Sequence, residues 1–464
     1  MASFIEYLPI IIPTLFLLVP SISILYIDNG TERRFDYAYY TATIGTLISV
    51  ISLLLMWAFS INYYKLFSDN LYIDTSGYFL AIAAGIATLI AIAGSRDHII
   101  SWGTRSSFLS LSLLTFLGLV YMSFAYSIPV IFASWAVSAS ATYAIVMLKK
   151  DIKSADAGSR YLIMGLVSSS LMLLGFSFYV VATKSLFLGV TPTYPKLLLV
   201  SMVLVSIAFL FKMGAFPFHT WLPDVYTMSD RVMVALVSSV GKIVGITPLL
   251  RFLIFMDPYP SLRTLTFIVF VIISIGSLTI GNVTAFSRND LAAILSFSSI
   301  AQVGFITMGF AMLLISTDAA RTGIVIQTLA YVIAQSGLFL FTSYVETSSG
   351  TSRLEGLRGM SKNDKALAFA GTVLFLSLLG VPPIMGFWGK LFIFESTFTQ
   401  PWFTVIGVLM SAISAGYYIP PIREIFRDWN FKPTNVIERD ATLYASILVL
   451  VLGILSPLLY MVII

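Results

Sequence analysis

The 464 residues are 58% hydrophobic and only 11% charged, with a mean hydropathy of +0.93. A soluble domain carries about 25% charged residues, so this composition excludes one, and the solvent of the chain must be lipid. There is no cysteine, which excludes disulfides, cysteine-ligated iron–sulfur clusters and thioether-linked haem; with only two histidines, His98 and His219, neither a metal site nor a cofactor is expected.

The formal charge of +5 does not point to nucleic acid, because the basic residues lie singly or in small groups between apolar runs rather than in a stripe. A helix needs about 20 apolar residues to cross a bilayer, and fourteen such segments are predicted. They fall near 5–26, 37–61, 75–93, 106–122, 127–148, 160–181, 196–222, 232–250, 264–284, 290–314, 321–345, 367–394, 402–425 and 441–463. The first begins in "MASFIEYLPIIIPTLFLLVPS", with no basic residue before Arg33 and with Glu6 inside it. A secretory signal needs a positive start, so this segment is expected to be a retained helix. Between the fourth and fifth segments, "YMSFAYSIP" makes a very short loop. The expected fold class is therefore all-α, a polytopic membrane protein forming a single transmembrane domain over 1–464.

Of the 27 Lys and Arg residues, 18 fall in loops after odd-numbered segments, 6 on the opposite side and 3 within helices. The positive-inside rule then places the odd loops in the cytoplasm and both termini on the outer side of the plasma membrane.

The three exceptions are Lys212, Lys242 and Lys390, in "VLVSIAFLFKMGAFPFHTW", "VALVSSVGKIVGITPLL" and "FLSLLGVPPIMGFWGKLFIF". The first and last of these segments are interrupted by Gly and Pro, at Pro217 and at Pro382 and Pro383. Segments 7 and 12 lie five apart, so they cross in opposite senses. This pattern suggests an inverted repeat with an ion path at the breaks: helices 1–3 over 1–105, repeats over 106–255 and 256–425, and a closing helix in 426–464. A lysine at bilayer depth costs about 2.5–3.5 kcal/mol even on the lenient insertion scale. Desolvation disfavours the charged form of a buried amine, so such a group can exchange a proton where a solvated one cannot.

Each lysine also has a plainer reading. Lys212 can cap carbonyls freed at Pro217, and Lys390 can snorkel to the surface. Lys242 sits mid-helix between Gly241 and Gly245, where snorkelling is harder. His219, beside Pro217 and Trp221, either bonds exposed backbone or extends the path from Lys212. Asp224 reads as a cap or a solvated residue, and His98, in "GSRDHII", as a loop residue.

The runs "FKMGAFPFHTWLPDVY", "SSVGKI", "SRNDLAAILSFSSIAQVGF" and "LFLSLLGVPPIMGFWGKLFIF", in this order over 105–425, resemble the antiporter-like subunits of respiratory complex I and its relatives. The "PDVY" ending looks most like the N-type subunit. The resemblance implies two inverted five-helix repeats and a membrane-midplane axis of lysines, histidine and glutamate that relays protons in response to quinone reduction elsewhere in the complex. It places the lysines of helices 7, 8 and 12 on Lys212, Lys242 and Lys390, and the histidine after the break on His219. It also implies other membrane subunits as partners in a hetero-oligomer, and no redox centre in this chain.

Two positions depart from that pattern. Aligning "FASWAVSASATY" puts Ala136 where the family carries the glutamate that pairs with the helix 7 lysine, and the usual helix 10 histidine is Gln302. A modified proton path is therefore expected. One alternative is a subunit of an Mrp-type cation/proton antiporter. Sodium would want buried carboxylates; the helix carboxylates expected to bear on this are Glu346 and Glu395, both near ends, which favours protons. The other alternative is a largely structural subunit, against which the three retained lysines argue.

Overall fold

A computed structural model of the protein describes residues 4–28, 30–59, 61–256, 260–429, 431–434 and 436–463. In chain order the helices begin with α1 (Phe4–Ile27) and α2 (Glu32–Ala58). A short antiparallel hairpin follows, β1 (Tyr64–Leu66) and β2 (Leu71–Ile73), with Lys65 opposite Tyr72. Then come α3 (Thr75–Ala93), α4 (Arg96–Ile99), α5 (Arg105–Ser123), α6 (Ile128–Val146), α7 (Ile152–Thr183), α8 (Pro195–Met213), α9 (Trp221–Met228) and α10 (Arg231–Ile254). The remainder are α11 (Pro260–Phe286), α12 (Leu291–Met312), α13 (Thr317–Ser349), α14 (Met360–Asn363), α15 (Lys365–Leu379), α16 (Met385–Ser396), α17 (Pro401–Ile425) and α18 (Ile437–Ile463).

Among the described residues, thirteen helices are long and apolar enough to cross a membrane. The remaining expected segment, 367–394, is present as two shorter helices, α15 and α16. The chain is a multi-pass membrane protein. Backbone polar groups in lipid must be satisfied within the segment, which is why helices serve here. Helices α10 and α13 are buried throughout their apolar stretches, whereas α1, α7 and α17 leave most of theirs uncovered, as a lipid-facing or partner-facing helix does.

Two compact units divide the chain. The first comprises Met1–Leu89, Ser101–Gly214 and Val240–Thr266. In it α1 packs on α2 and α5, α5 on α6, and α7 on α8. The second comprises Ile90–Ile100, Ala215–Ser239 and Phe267–Ile464. There α13 is central and packs against α12, α15, α16 and α18.

One boundary differs from the sequence reading. The eighth segment was expected to end at 250, which put Arg251 in an outer loop. Instead α10 runs to Ile254 and Arg251 is fully buried within the first unit. Its Nη1 donates to Asp74 Oδ2 at 2.6 Å, Nε to the Ala125 carbonyl at 3.0 Å and Nη2 to the Tyr72 carbonyl at 2.9 Å. Each nitrogen of the guanidinium has an acceptor and the charge a carboxylate partner, the condition under which a buried charge is tolerated.

Helix ends inside an apolar protein pose an accounting problem, since the last four carbonyls have no intrahelical partner. Helix α8 stops at Gly214 (φ +67°) and α15 at Gly380 (φ +88°), left-handed conformations that glycine adopts without a Cβ penalty. In both cases a proline, Pro217 or Pro383, stands three residues after the glycine. The Gly214 amide donates to the Phe211 carbonyl at 3.1 Å, and the Gly380 amide to those of Leu376 at 2.9 Å and Ser377 at 3.1 Å. The last carbonyls are taken by side chains.

Candidate functional site: buried lysines at two helix breaks

In the first unit, Lys212 lies in the last turn of α8 and is 3% exposed. Its Nζ donates to Thr142 Oγ1 at 3.0 Å and stands 4.1 and 4.4 Å from the ring centroids of Tyr143 and Tyr161. Those two rings meet edge to face at 4.7 Å, and the negative faces of aromatic rings favour a cation. Gly165 on α7 makes the arrangement possible, because any Cβ there would overlap the Tyr143 ring. Lys212 therefore does not cap the break, contrary to its plainer reading. Where the resemblance expects a carboxylate partner, the amine meets a hydroxyl and two rings. Ala136 itself lies on an exposed face of α6, and Thr142, six residues further along that helix, is the residue that reaches the amine.

The cap is Lys242. It is 1% exposed in the middle of α10, and its Nζ donates to the Met213 carbonyl, the final one of α8. Gly245 brings the two helices close: a Cβ at that position would stand 2.8 Å from the Phe209 carbonyl oxygen.

The second unit repeats this pairing. Lys390, on α16 and 3% exposed, donates to the Leu379 carbonyl at 2.8 Å and to Ser411 Oγ at 3.0 Å, with the Phe305 ring centroid 4.4 Å away. The amine turns to the end of α15, not to the surface, so the snorkelling reading does not hold. Lys390, Leu379, Gly380 and Ser411 line a cleft of about 270 Å³. The preceding carbonyl, Leu378, accepts from Gln302 Nε2 at 2.8 Å. Gln302 also donates to the Tyr418 hydroxyl at 3.0 Å and accepts from Gln327 Nε2 at 2.8 Å. A glutamine so committed is a structural strut. It sits where the resemblance expects a histidine.

His219 lies in the segment between α8 and α9, half-buried, its ring stacked 6.1 Å from Phe216. Its Nδ1 is buried without a hydrogen-bond partner among the described residues, so it does not satisfy freed backbone through that atom. Asp224 is half-buried in the first turn of α9.

His98 is not a free loop residue. From α4 its Nε2 meets Asp230 Oδ2 at 2.9 Å, and its Nδ1 meets Glu438 Oε1 at 3.4 Å. Burial alone would push this imidazole down. The two carboxylate hydrogen bonds overcome that and raise it to about 10, so the imidazolium is held as a bolt between α4 and the starts of α10 and α18. A further helix carboxylate, not among those expected from the sequence, is Glu424, buried in the last turn of α17 and met by Arg358, Arg423 and Arg427. Thr142, Tyr143, Tyr161 and Ser411 carried no signal in the sequence, being ordinary residues of membrane helices.

A family model described as "NADH:quinone oxidoreductase/Mrp antiporter, TM" matches residues 125–414. The F(420)H(2) dehydrogenase subunit N of Methanosarcina mazei is 31% identical over 450 residues, covering 90% of this chain and 88% of that one. The NADH-quinone oxidoreductase subunit N 2 of Solidesulfovibrio magneticus is 28% identical over 465 residues, covering 97% and 96%. Among solved structures, a chain of respiratory complex I from Thermus thermophilus superposes with a TM-score of 0.81 at 24% identity, covering 97% of this chain and 98% of that one.

Proposed function

Since the chain belongs to the NADH:quinone oxidoreductase/Mrp antiporter transmembrane family, we propose that it is the N-type membrane subunit of a complex I-type quinone oxidoreductase. In this reading it relays protons through Lys212, Lys242 and Lys390, with His219 extending the path from Lys212 and with Gln302 and Asp224 as supporting polar groups. It holds no redox centre of its own and works in a hetero-oligomer with other membrane subunits. Its odd-numbered loops lie in the cytoplasm and both termini outside the plasma membrane.

The observation that carries this reading is the chemistry of the lysines' partners. All three amines are buried, and each bonds a neutral oxygen: the Thr142 hydroxyl, the Met213 carbonyl, or the Leu379 carbonyl with the Ser411 hydroxyl. Among the described residues no carboxylate pairs with any of them. A hydroxyl or carbonyl oxygen accepts an N–H from an ammonium or from a neutral amine alike, so these sites do not depend on one charge state as an ion pair would. At the two breaks the amine also meets the negative end of a half-helix. The matching glycine-to-proline spacing at the breaks supports two repeats, over 106–255 and 256–425.

The test is proton pumping by the purified complex in sealed vesicles, comparing wild type with Lys212→Met, Lys242→Met and Lys390→Met while electron transfer is followed, with NADH and with reduced F420 as donors. Loss of pumping together with coupled turnover is expected. Unchanged pumping in all three variants overturns the relay and leaves a structural subunit. Cation/proton exchange without any donor would instead favour the antiporter branch of the family.

A further inference from the structure

Within the second unit, the segments that follow α11, α13 and α17 contribute to a cleft of about 620 Å³ lined by five arginines: Arg288, Arg353, Arg358, Arg423 and Arg427. Three of them converge on one carboxylate. Glu424, its side chain 5% exposed, is met by Arg358 Nε at 2.8 Å, Arg427 Nη1 at 3.0 Å and Arg423 Nη2 at 3.4 Å. Asp290 is already occupied, by the Ala293 amide at 3.0 Å as cap of α12 and by the Ser352 hydroxyl. Arg353 and Arg288 are exposed, and neither pairs with a carboxylate among the described residues; Arg288 lies only over the Phe297 ring, 5.0 Å from its centroid. With Glu355 the cleft holds three carboxylates against five arginines, a net +2. Each guanidinium offers five donors, so most of the donors are unspent.

The same cleft stands at the end of an apolar track. On α17 the exposed residues Trp402, Val405, Leu409 and Ile413 follow helical spacing, and exposed Ile419 continues the apolar surface towards Arg423 and Arg427. From Trp402 to Ile419 the track is about 25 Å long at about 1.5 Å per residue, close to the thickness of a bilayer's hydrocarbon core. Exposed aromatic residues mark both ends, Trp402 on one side and Phe426 and Trp429 on the other, as they do at membrane interfaces. A small anion would use the arginines and leave the track bare. An acidic protein segment would have no use for a stripe that extends to the far side of the bilayer. We propose that this cleft binds the phosphodiester headgroup of an anionic phospholipid, whose acyl chains lie along the exposed face of α17. The proposal rests on α17 crossing the membrane, and not on the proton relay, so the two can fail separately.

The test uses the purified complex, stripped of lipid in detergent and titrated with phosphatidylglycerol or phosphatidylcholine. Retained lipid is counted by native mass spectrometry for wild type, for R288Q/R353Q, and for R33Q/R34Q, which removes two exposed arginines elsewhere. A basic residue near an anionic lipid is worth roughly fivefold in affinity, so R288Q/R353Q should bind one phosphatidylglycerol about 30-fold more weakly. R33Q/R34Q should match wild type, phosphatidylcholine should not substitute, and inorganic phosphate should not displace the lipid. Equal retention in wild type and R288Q/R353Q, or equal retention of the two lipids, overturns the proposal. So does displacement by phosphate, which would mark a site for a free anion, or crosslinking of a cysteine placed at Arg353 to an acidic segment of a neighbouring subunit.

Discussion

Lys212 Nζ and Thr142 Oγ1, seventy residues apart in sequence, stand 3.0 Å apart inside the first unit. That hydroxyl is the only hydrogen-bond acceptor within reach of the amine among the described residues, the rest of its cage being aromatic. A hydrogen bond to a charged group is worth about 1.5–3 kcal/mol, so its removal should be felt in any process that charges Lys212. Thr142→Val keeps the shape and deletes the acceptor. Proton pumping by the complex in sealed vesicles is expected to fall about tenfold or more in this variant, and Thr142→Ser should retain it.

At the other break, a Cβ on Gly380 would lie 2.9 Å from Lys390 Cδ, on a backbone at φ +88°. Gly380→Ala therefore combines left-handed strain of about 1–2 kcal/mol with displacement of Lys390 from the Leu379 carbonyl. The expected outcome is a folded complex with strongly reduced pumping. Gly103→Ala, where nothing stands within 4 Å of the new Cβ, is the control and should behave as wild type.

The His98 bolt predicts a pH dependence of stability. Its folded value is raised, from about 6.5 to about 10. The unfolded imidazole thus loses its proton first, and the stabilisation is fully present below about pH 6.5 and disappears as pH rises through about 10. Thermal unfolding of wild type and His98→Gln should differ most at pH 6 and converge above pH 10. A Tm difference that stayed constant across this range would show that the imidazolium is not the stabilising species.

Removing one partner of a buried ion pair costs about 3–5 kcal/mol, whereas replacing both by apolar residues is often near neutral. Asp74→Leu leaves Arg251 buried and uncompensated, and should abolish accumulation of folded protein in the membrane. The double variant Asp74→Leu, Arg251→Met should recover much of it, which quantitative immunoblotting of the membrane fraction would show. Full recovery is not expected, because Asp74 Oδ1 also accepts from the Gly77 amide at 2.8 Å at the start of α3.

The absence of native cysteine makes topology directly testable. Lys362→Cys, at the third residue of α14 in an odd loop, and Lys196→Cys, in the first turn of α8, both replace exposed side chains. A membrane-impermeant maleimide should label Lys196→Cys in intact cells and Lys362→Cys only after permeabilisation. The reverse pattern would invert the proposed orientation.

The sequence by itself determined the helices, the two breaks and the identity of the three interior lysines. Each of these is a local property: apolarity summed over consecutive residues, a glycine followed by a proline three positions on, or a cation within an apolar run. It did not determine what any of those cations touches. Thr142, Met213 and Leu379 lie 70, 29 and 11 residues from the lysines they meet, and nothing in their own neighbourhoods says which cation reaches them. The plainer reading of Lys212 as the cap of its own helix failed for this reason, since Lys242, from another helix, occupies that place. Arg251 and His98 were misread alike, one assigned to a loop by its position past an apolar run, the other by its polar neighbours. Only tertiary packing brings Asp74 to the first, and Asp230 and Glu438 to the second, because a buried charge is stable only where the fold delivers its partners.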